Sequence, residues 1–403
     1  MEYLSTLYRY ELKKITGKKI FWITLFLSLL VVAAIPLLPL TGKSYVDGEV
    51  ADTHYHMFRV DQAHERALSG RAIDQALLSE TVSAYEKIPD PEGRYTLTEE
   101  YQAYARPYAA VFQLISRWFD QPVLKDILNL EVSEESFYEA RLAFLEEEWQ
   151  GQFLTEREKA FWLQKEAEIS TPYLYYYHEG YTMLLKSFNT LCVLIPLFAA
   201  ICLPGVFAEE HTRRTDQLIL SGAKGKTTVY LAKISAGVTA SLASCALMVL
   251  TSAILALGIY GTDGFAMQLQ VTPYPFSHPL TIGAACLIMC GISLILSVFI
   301  GIFVMVLSEC LRNGIAAMSV TVALILIALL CKVPAQHRVL SQLFCWLPFS
   351  FLNIRNVFDL RTLPVFGHCL LSWQIVPVLY LLSCALLAAA GRRVYQRYLV
   401  SGR

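Results

Sequence analysis

Six stretches of this chain stay apolar for long enough to cross a bilayer, and they constrain its fold more than any other feature. They cover residues 20–40, 188–207, 234–260, 280–308, 314–331 and 373–390. About 20 apolar residues cross the hydrocarbon core as a helix. A helix meets its backbone hydrogen bonds internally, whereas an open strand or loop in lipid leaves them unmet. The pattern therefore predicts an all-α membrane protein with six transmembrane helices. With 55% hydrophobic and 17% charged residues, the chain lies well away from the balance of a soluble domain. The first run follows Lys13, Lys14, Lys18 and Lys19, as a secretory signal would. It is too long for one and lacks a small-residue cleavage pattern, so it reads as a retained span.

The formal net charge of −1 conceals a segregation. Residues 41–182 hold 26 acidic and 13 basic side chains, a local net charge of −13, which leaves 8 acidic and 20 basic elsewhere. An acidic domain is inserted into a basic membrane body. The flanks 1–19, 208–233 and 309–313 and the C-terminal tail together carry 15 Lys and Arg, whereas the alternate loops 261–279 and 332–372 carry none and four. The positive-inside rule then puts both termini in the cytoplasm and the acidic domain outside. The expected organisation is a cytoplasmic interface helix over 1–19, a first span over 20–40, an extracellular all-α domain over 41–182, and five further spans within 183–403, including a cytoplasmic loop over 208–233.

Inside the acidic domain, Thr96 with Glu99 and Thr155 with Glu158 have the spacing of capping boxes. Tyr138, Leu142, Leu145 and Trp149 fall on one stripe of a helix. Tyr173, Tyr175, Tyr176, Tyr177 and Tyr181 precede the second span, where amphipathic rings suit the headgroup layer; gripping a peptide or saccharide is the alternative. His54 and His56, with Asp52 and His64 nearby, have the types and spacing of zinc ligands, but nothing completes the set, and a solvated helix start is the plainer reading. No H-E-x-x-H is present, so no metal or catalytic residue is assigned. All ten cysteines lie in or beside the apolar segments, so no disulfide framework holds the acidic domain. Cys345 and Cys369 share a predicted external loop; they could pair, although two small buried residues is the favoured reading.

The predicted spans have no Asp, Glu, Lys or Arg in their interiors, apart from groups near their ends such as Lys186, Lys233 and Glu309. Ion-coupled carriers usually keep ionisable groups near the bilayer centre, so energy for transport is expected from outside this chain. Gly225-Lys226-Thr227 imitates the end of a phosphate-binding loop, but Leu220 stands where its first glycine belongs and no α/β domain fits there. No nucleophile with partners can be drawn within the spans, which argues against an intramembrane enzyme.

Phe207 to Lys233 reads FAEEHTRRTDQLILSGAKGKTTVYLAK. It resembles the cytoplasmic coupling segment of ABC-2-type (type V) permeases, with Phe207, Glu210, Thr215, Leu218 and Lys233 at matching places and Arg214 where that family usually has glycine. The residues LYRYELKKITGKKIFW near the N terminus are similar to that family's interface helix, and Val339 to Arg355 to its short external helices. The LILS-x-x-x-G-K variant is one associated with Firmicutes. The resemblance implies the permease subunit of an ABC exporter in a bacterial cell membrane. A separate ABC ATPase, which binds ATP and Mg, would dock on the coupling segment through Phe207, Glu209, Glu210, Arg213, Arg214, Thr215, Leu218 and Lys233. It also implies a second permease subunit, alike or different, and no nucleic-acid partner. Charged groups beside an apolar edge favour docking independently of the family. A non-transporting sensor or mechanotransmission subunit driven by such an ATPase is the alternative.

Overall fold

Uninterrupted Leu, Ile, Val and Ala runs give long helices in the computed structural model, which describes residues 2–46, 48–90, 94–215, 225–272, 274, 276–365 and 368–397. The apolar helices are Lys19–Leu37, Glu179–Cys202, Tyr230–Tyr260, Ile282–Leu311, Gly314–Leu330 and Ser372–Arg397. Five stretches among the described residues are long and apolar enough to cross a membrane. Gly314–Leu330, at 17 residues, falls short of that length. It would reach about 25 Å, against a hydrocarbon core of about 30 Å. The chain is an all-α membrane protein; its described strands are two short hairpins, Ser44–Val46 with Glu49–Ala51 and Leu363–Val365 with His368–Leu370.

Two units emerge from the fold. The first comprises Met1–Ala33, Leu185–Ile254 and Leu287–Arg403. Small residues let its helices meet closely: a Cβ at Gly237 would collide with the thioether of Met305, and one at Gly391 with Tyr230 and Val306. Ser241 donates to the carbonyl of Ser297 (2.9 Å), tying helices Tyr230–Tyr260 and Ile282–Leu311 together. Residues 338–357 form the short helices Arg338–Cys345 and Ile354–Val357. Cys345 Sγ lies 3.5 Å from the Arg361 guanidinium, which is bound to Asp359.

The second unit comprises Ala34–Leu184 and Leu255–Cys286. Residues 255–286, which hydropathy divides between two spans and a loop, thus belong to the same unit as the acidic insertion. Its core is aromatic: Tyr85 stacks on Phe112 at 3.7 Å, and Trp118 packs against Phe137 and Tyr173. Three local expectations need correction. The box at Thr155 forms, with Thr155 and Glu158 capping each other, but Thr96 lies inside the 3₁₀ turn Tyr95–Leu97, and Thr98 caps the next turn by accepting from Tyr101 N. The buried face of helix Glu134–Gly151 is Phe137, Arg141, Leu145 and Trp149, while Leu142 is exposed. The stripe is rotated because Arg141 takes an interior place, donating to Tyr173 Oη (2.8 Å) and to both Glu166 oxygens (3.0 and 3.1 Å). Finally, Tyr173, Tyr175 and Tyr177 are buried inside the unit rather than spread in a headgroup layer. Their segment pairs with residues 70–73 through backbone bonds, so alternate side chains point to one face.

Candidate functional site

The segment from Phe207 to Lys233 begins where helix Glu179–Cys202 stops. Pro204 has no N–H to continue the ladder, and a separate helix, Gly205–Arg213, starts directly after it. The helix that carries the span expected over 188–207 therefore breaks after Cys202 within an apolar stretch that runs from Glu179 to Arg213, and much of what reads as loop is helical. This helix closes on Arg214, whose φ of 58° is left-handed. Glycine takes that conformation without strain, which gives a physical reason for glycine at the equivalent place in the resembling family. Leu218, with Asp216, Ile219 and Leu220, lies outside the described residues. The chain resumes in a π-helical turn, Gly225–Val229, which runs into Tyr230–Tyr260.

The assigned residues divide by exposure. Arg213, Arg214 and Thr215 face outward, whereas Phe207 (1%), Glu210 (6%) and Lys233 (0%) are buried. Lys233 donates to Glu210 Oε1 (2.6 Å), the Val206 carbonyl (2.8 Å) and Glu11 Oε2 (3.3 Å), so its three ammonium protons all have acceptors. Glu210 also takes Lys14 at 3.2 Å, and Glu209 takes Lys18 at 2.6 Å and Arg213 at 2.7 Å. A buried ammonium is tolerated when its charge is paired and its hydrogen bonds are complete.

Other elements hold the segment from further sides. His211 Nε2 lies 3.0 Å from Glu309 Oε2 on helix Ile282–Leu311, and Ser308 donates to the Pro204 carbonyl. Phe207 packs against Tyr230 and Tyr395, each at 5.7 Å, with Lys233 Nζ 5.5 Å from its ring centre. Tyr8 on helix Glu2–Thr16 donates to Thr239 (3.1 Å). Glu210 and Lys233 are spent inside the chain, and among the described residues of the segment's first half the exposed ones are Thr212, Arg213, Arg214 and Thr215. Sequence reasoning missed Glu11, Lys14, Lys18, His211 and Glu309 as members of this cluster. The available signal was a Glu209-Glu210 pair together with four lysines near the N terminus, of which Lys14 and Lys18 meet it.

A bundle of apolar helices with a charged helical segment clamped among them defines a multi-pass membrane protein. Residues 18–385 match the model of the ABC-2 family transporter protein, and the chain belongs to that family. No curated protein matches it significantly. Membership makes it a permease-type membrane subunit of an ABC system, from a family that is generally non-catalytic and associates with an ABC ATPase.

Proposed function

We propose that this chain is the permease subunit of an ABC exporter in a bacterial cell membrane, coupled to a separate ATPase through helix Gly205–Arg213. The observation that carries the reading is the buried Glu210–Lys233 pair, which Lys14 and Glu11 extend to the N-terminal helix. A push on the exposed rim of this segment moves the start of Tyr230–Tyr260 and the N-terminal helix with it, because breaking the pair would strand a buried charge. Phe207, Glu210 and Lys233 thus hold the segment, and Arg213, Arg214, Thr215 and Leu218 meet the partner. The ATPase supplies the ATP and Mg site, and two permease subunits line the path.

On this reading six spans cross the membrane, with Gly314–Leu330 as a short fifth, both termini lie in the cytoplasm and the acidic domain of residues 41–182 lies outside. The Lys/Arg asymmetry supports that orientation. The test is the double charge reversal Arg213→Glu/Arg214→Glu in cells that express the chain with its ATPase. We expect normal insertion, reduced co-purification of the ATPase and loss of vesicle transport. Unchanged association and transport would overturn the docking role. Stimulated ATP hydrolysis without flux would replace export by mechanotransmission.

A further inference from the structure

Helix Glu134–Gly151 of the second unit carries six glutamates and a single arginine. Arg141 lies inside and is held by Glu166, so it neutralises none of them. Glu135, Glu139, Leu142 and Glu146 fall at i, i+4, i+7 and i+11, and all four are exposed. None of these three glutamates has an ion-pair partner among the described residues. Like charges one turn apart, as at Glu135 and Glu139, weaken a helix rather than support it. The stripe is therefore a row of uncompensated anions with one apolar side chain in its middle.

Leu142 also lines a cavity of ≈ 210 Å³, walled from this helix and from helix Glu156–Ala167, with Tyr138, Leu163 and Tyr173 as the rest of its apolar lining. A site for a drug-sized molecule takes roughly 300–1,000 Å³, so this one suits a single side chain. Leu163, 45% exposed, lines both this cavity and a second one of ≈ 330 Å³, whose wall includes Glu146 and Trp149. Trp149 is 1% exposed, and its indole N–H has no acceptor among the described residues. A buried donor without an acceptor is costly, and a carbonyl entering this cavity would supply one. A solvated acidic face accounts for the glutamates, but not for an apolar cavity in their midst beside an unpaired donor. A ligand that meets all three features brings basic groups, a bulky apolar side chain and carbonyl oxygens, and a peptide has them in one chain. We propose that this face of the second unit binds a cationic peptide, with an apolar side chain in the cavity at Leu142 and Leu163, basic side chains on Glu139 and Glu146, and a main-chain carbonyl at Trp149. The net charge of −13 over residues 41–182 draws such a peptide toward the unit.

The experiment is fluorescence anisotropy with the full chain in a neutral detergent. The probe is the peptide Lys-Lys-Leu-Lys-Lys, compared with versions in which alanine replaces the leucine or glutamine replaces every lysine, all bearing the same dye. We expect the parent peptide to bind about tenfold more tightly than either. Glu139→Gln/Glu146→Gln should weaken the parent peptide about tenfold and leave the glutamine version unchanged. Leu142→Asn, which alters no charge, should weaken the parent peptide about fivefold and leave the alanine version unchanged. All three substituted side chains are exposed, so each variant is expected to keep its melting temperature. Equal binding of the leucine and alanine peptides overturns the proposal, because the face then attracts charge alone. Parent-peptide binding that survives the double variant at full strength overturns it as well. If the chain instead forms dimers that these variants abolish, and no peptide binds, a second copy takes the face and the proposal falls. No ATPase takes part, so the result stands apart from the coupling role of helix Gly205–Arg213.

Discussion

Both units of this chain bury apolar side chains, and they differ in what they expose and in how their polar groups are used. In the unit built on residues 34–184, Leu77, Val111, Leu145 and Trp162 are inside and Glu-rich faces are outside, as in any water-soluble domain. In the membrane unit, Ser241, Ser244, Ser293 and Ser297 are inside, and Leu250, Ile254, Leu330 and Leu386 are outside. The difference follows from the solvent. Lipid gives apolar side chains no reason to leave it, so helices there associate through small residues, hydroxyl bonds and buried charge pairs. In the first unit the Glu210–Lys233 pair adds a buried polar tie to a core that also holds Phe188, Phe207 and Phe351.

The comparison breaks first if Glu210 can be removed cheaply. Glu210→Ala leaves Lys233 fully buried with weaker acceptors, a change that costs about 3–5 kcal/mol. The expected outcome is a large fall in the melting temperature of the detergent-solubilised chain, most of it recovered in Glu210→Leu/Lys233→Met, where both charges are gone. An unchanged melting temperature would mean that the pair holds nothing. The next test uses one residue type in both units. Leu145→Ala, at a site that is 0% exposed, is expected to cost about 2–5 kcal/mol. Leu330→Ala, at a site 77% exposed, is expected to stay within about 0.5 kcal/mol in the same measurement.

The same contrast explains what could be read in advance. Hydropathy located the apolar helices because length and composition suffice for that, and the ABC-2 resemblance rested on residues in a segment of unusual charge. Hydropathy could not say which side of Gly314–Leu330 packs, since Ala317, Thr321 and Ile325 face inward while equally apolar neighbours face out. Periodicity failed at helix Glu134–Gly151 for the reverse reason. Arg141 sits on the buried face, and a pattern of apolar residues skips the one position whose partners, Tyr173 and Glu166, are 25 or more residues away. Glu210 reads as a partner-facing charge until its neighbours Lys14 and Lys233, far off in sequence, are seen beside it.

A milder test concerns pH in the soluble-like unit. Burial, aided by the nearby carboxylate of Glu179, raises Glu65 to about 7. Tyr175 donates to it at 3.1 Å. A carboxyl whose folded pKa lies above its unfolded value binds its proton more tightly in the folded state. Stability should then fall as pH rises from about 4.5 to about 7 and level off above that. Glu65→Gln should flatten this part of the melting-temperature profile. A profile that keeps its slope in the variant would assign the dependence to other groups.

The smallest expected effect sharpens the account of the coupling segment itself. Arg214 holds φ at 58°, where an ordinary L-residue is strained by about 1–2 kcal/mol relative to glycine. Part of that gain is lost because glycine makes the unfolded chain more flexible. Arg214→Gly should therefore stabilise the membrane unit by about 0.5–1 kcal/mol, a rise of a few degrees at most in melting temperature. If Arg214 also meets the ATPase, the same substitution should weaken association while it raises stability, and the two readouts move in opposite directions. A variant that is more stable and equally well coupled would leave Arg213 and Thr215 as the contact. One that is less stable would show that the guanidinium, rather than the backbone, has been holding the end of helix Gly205–Arg213.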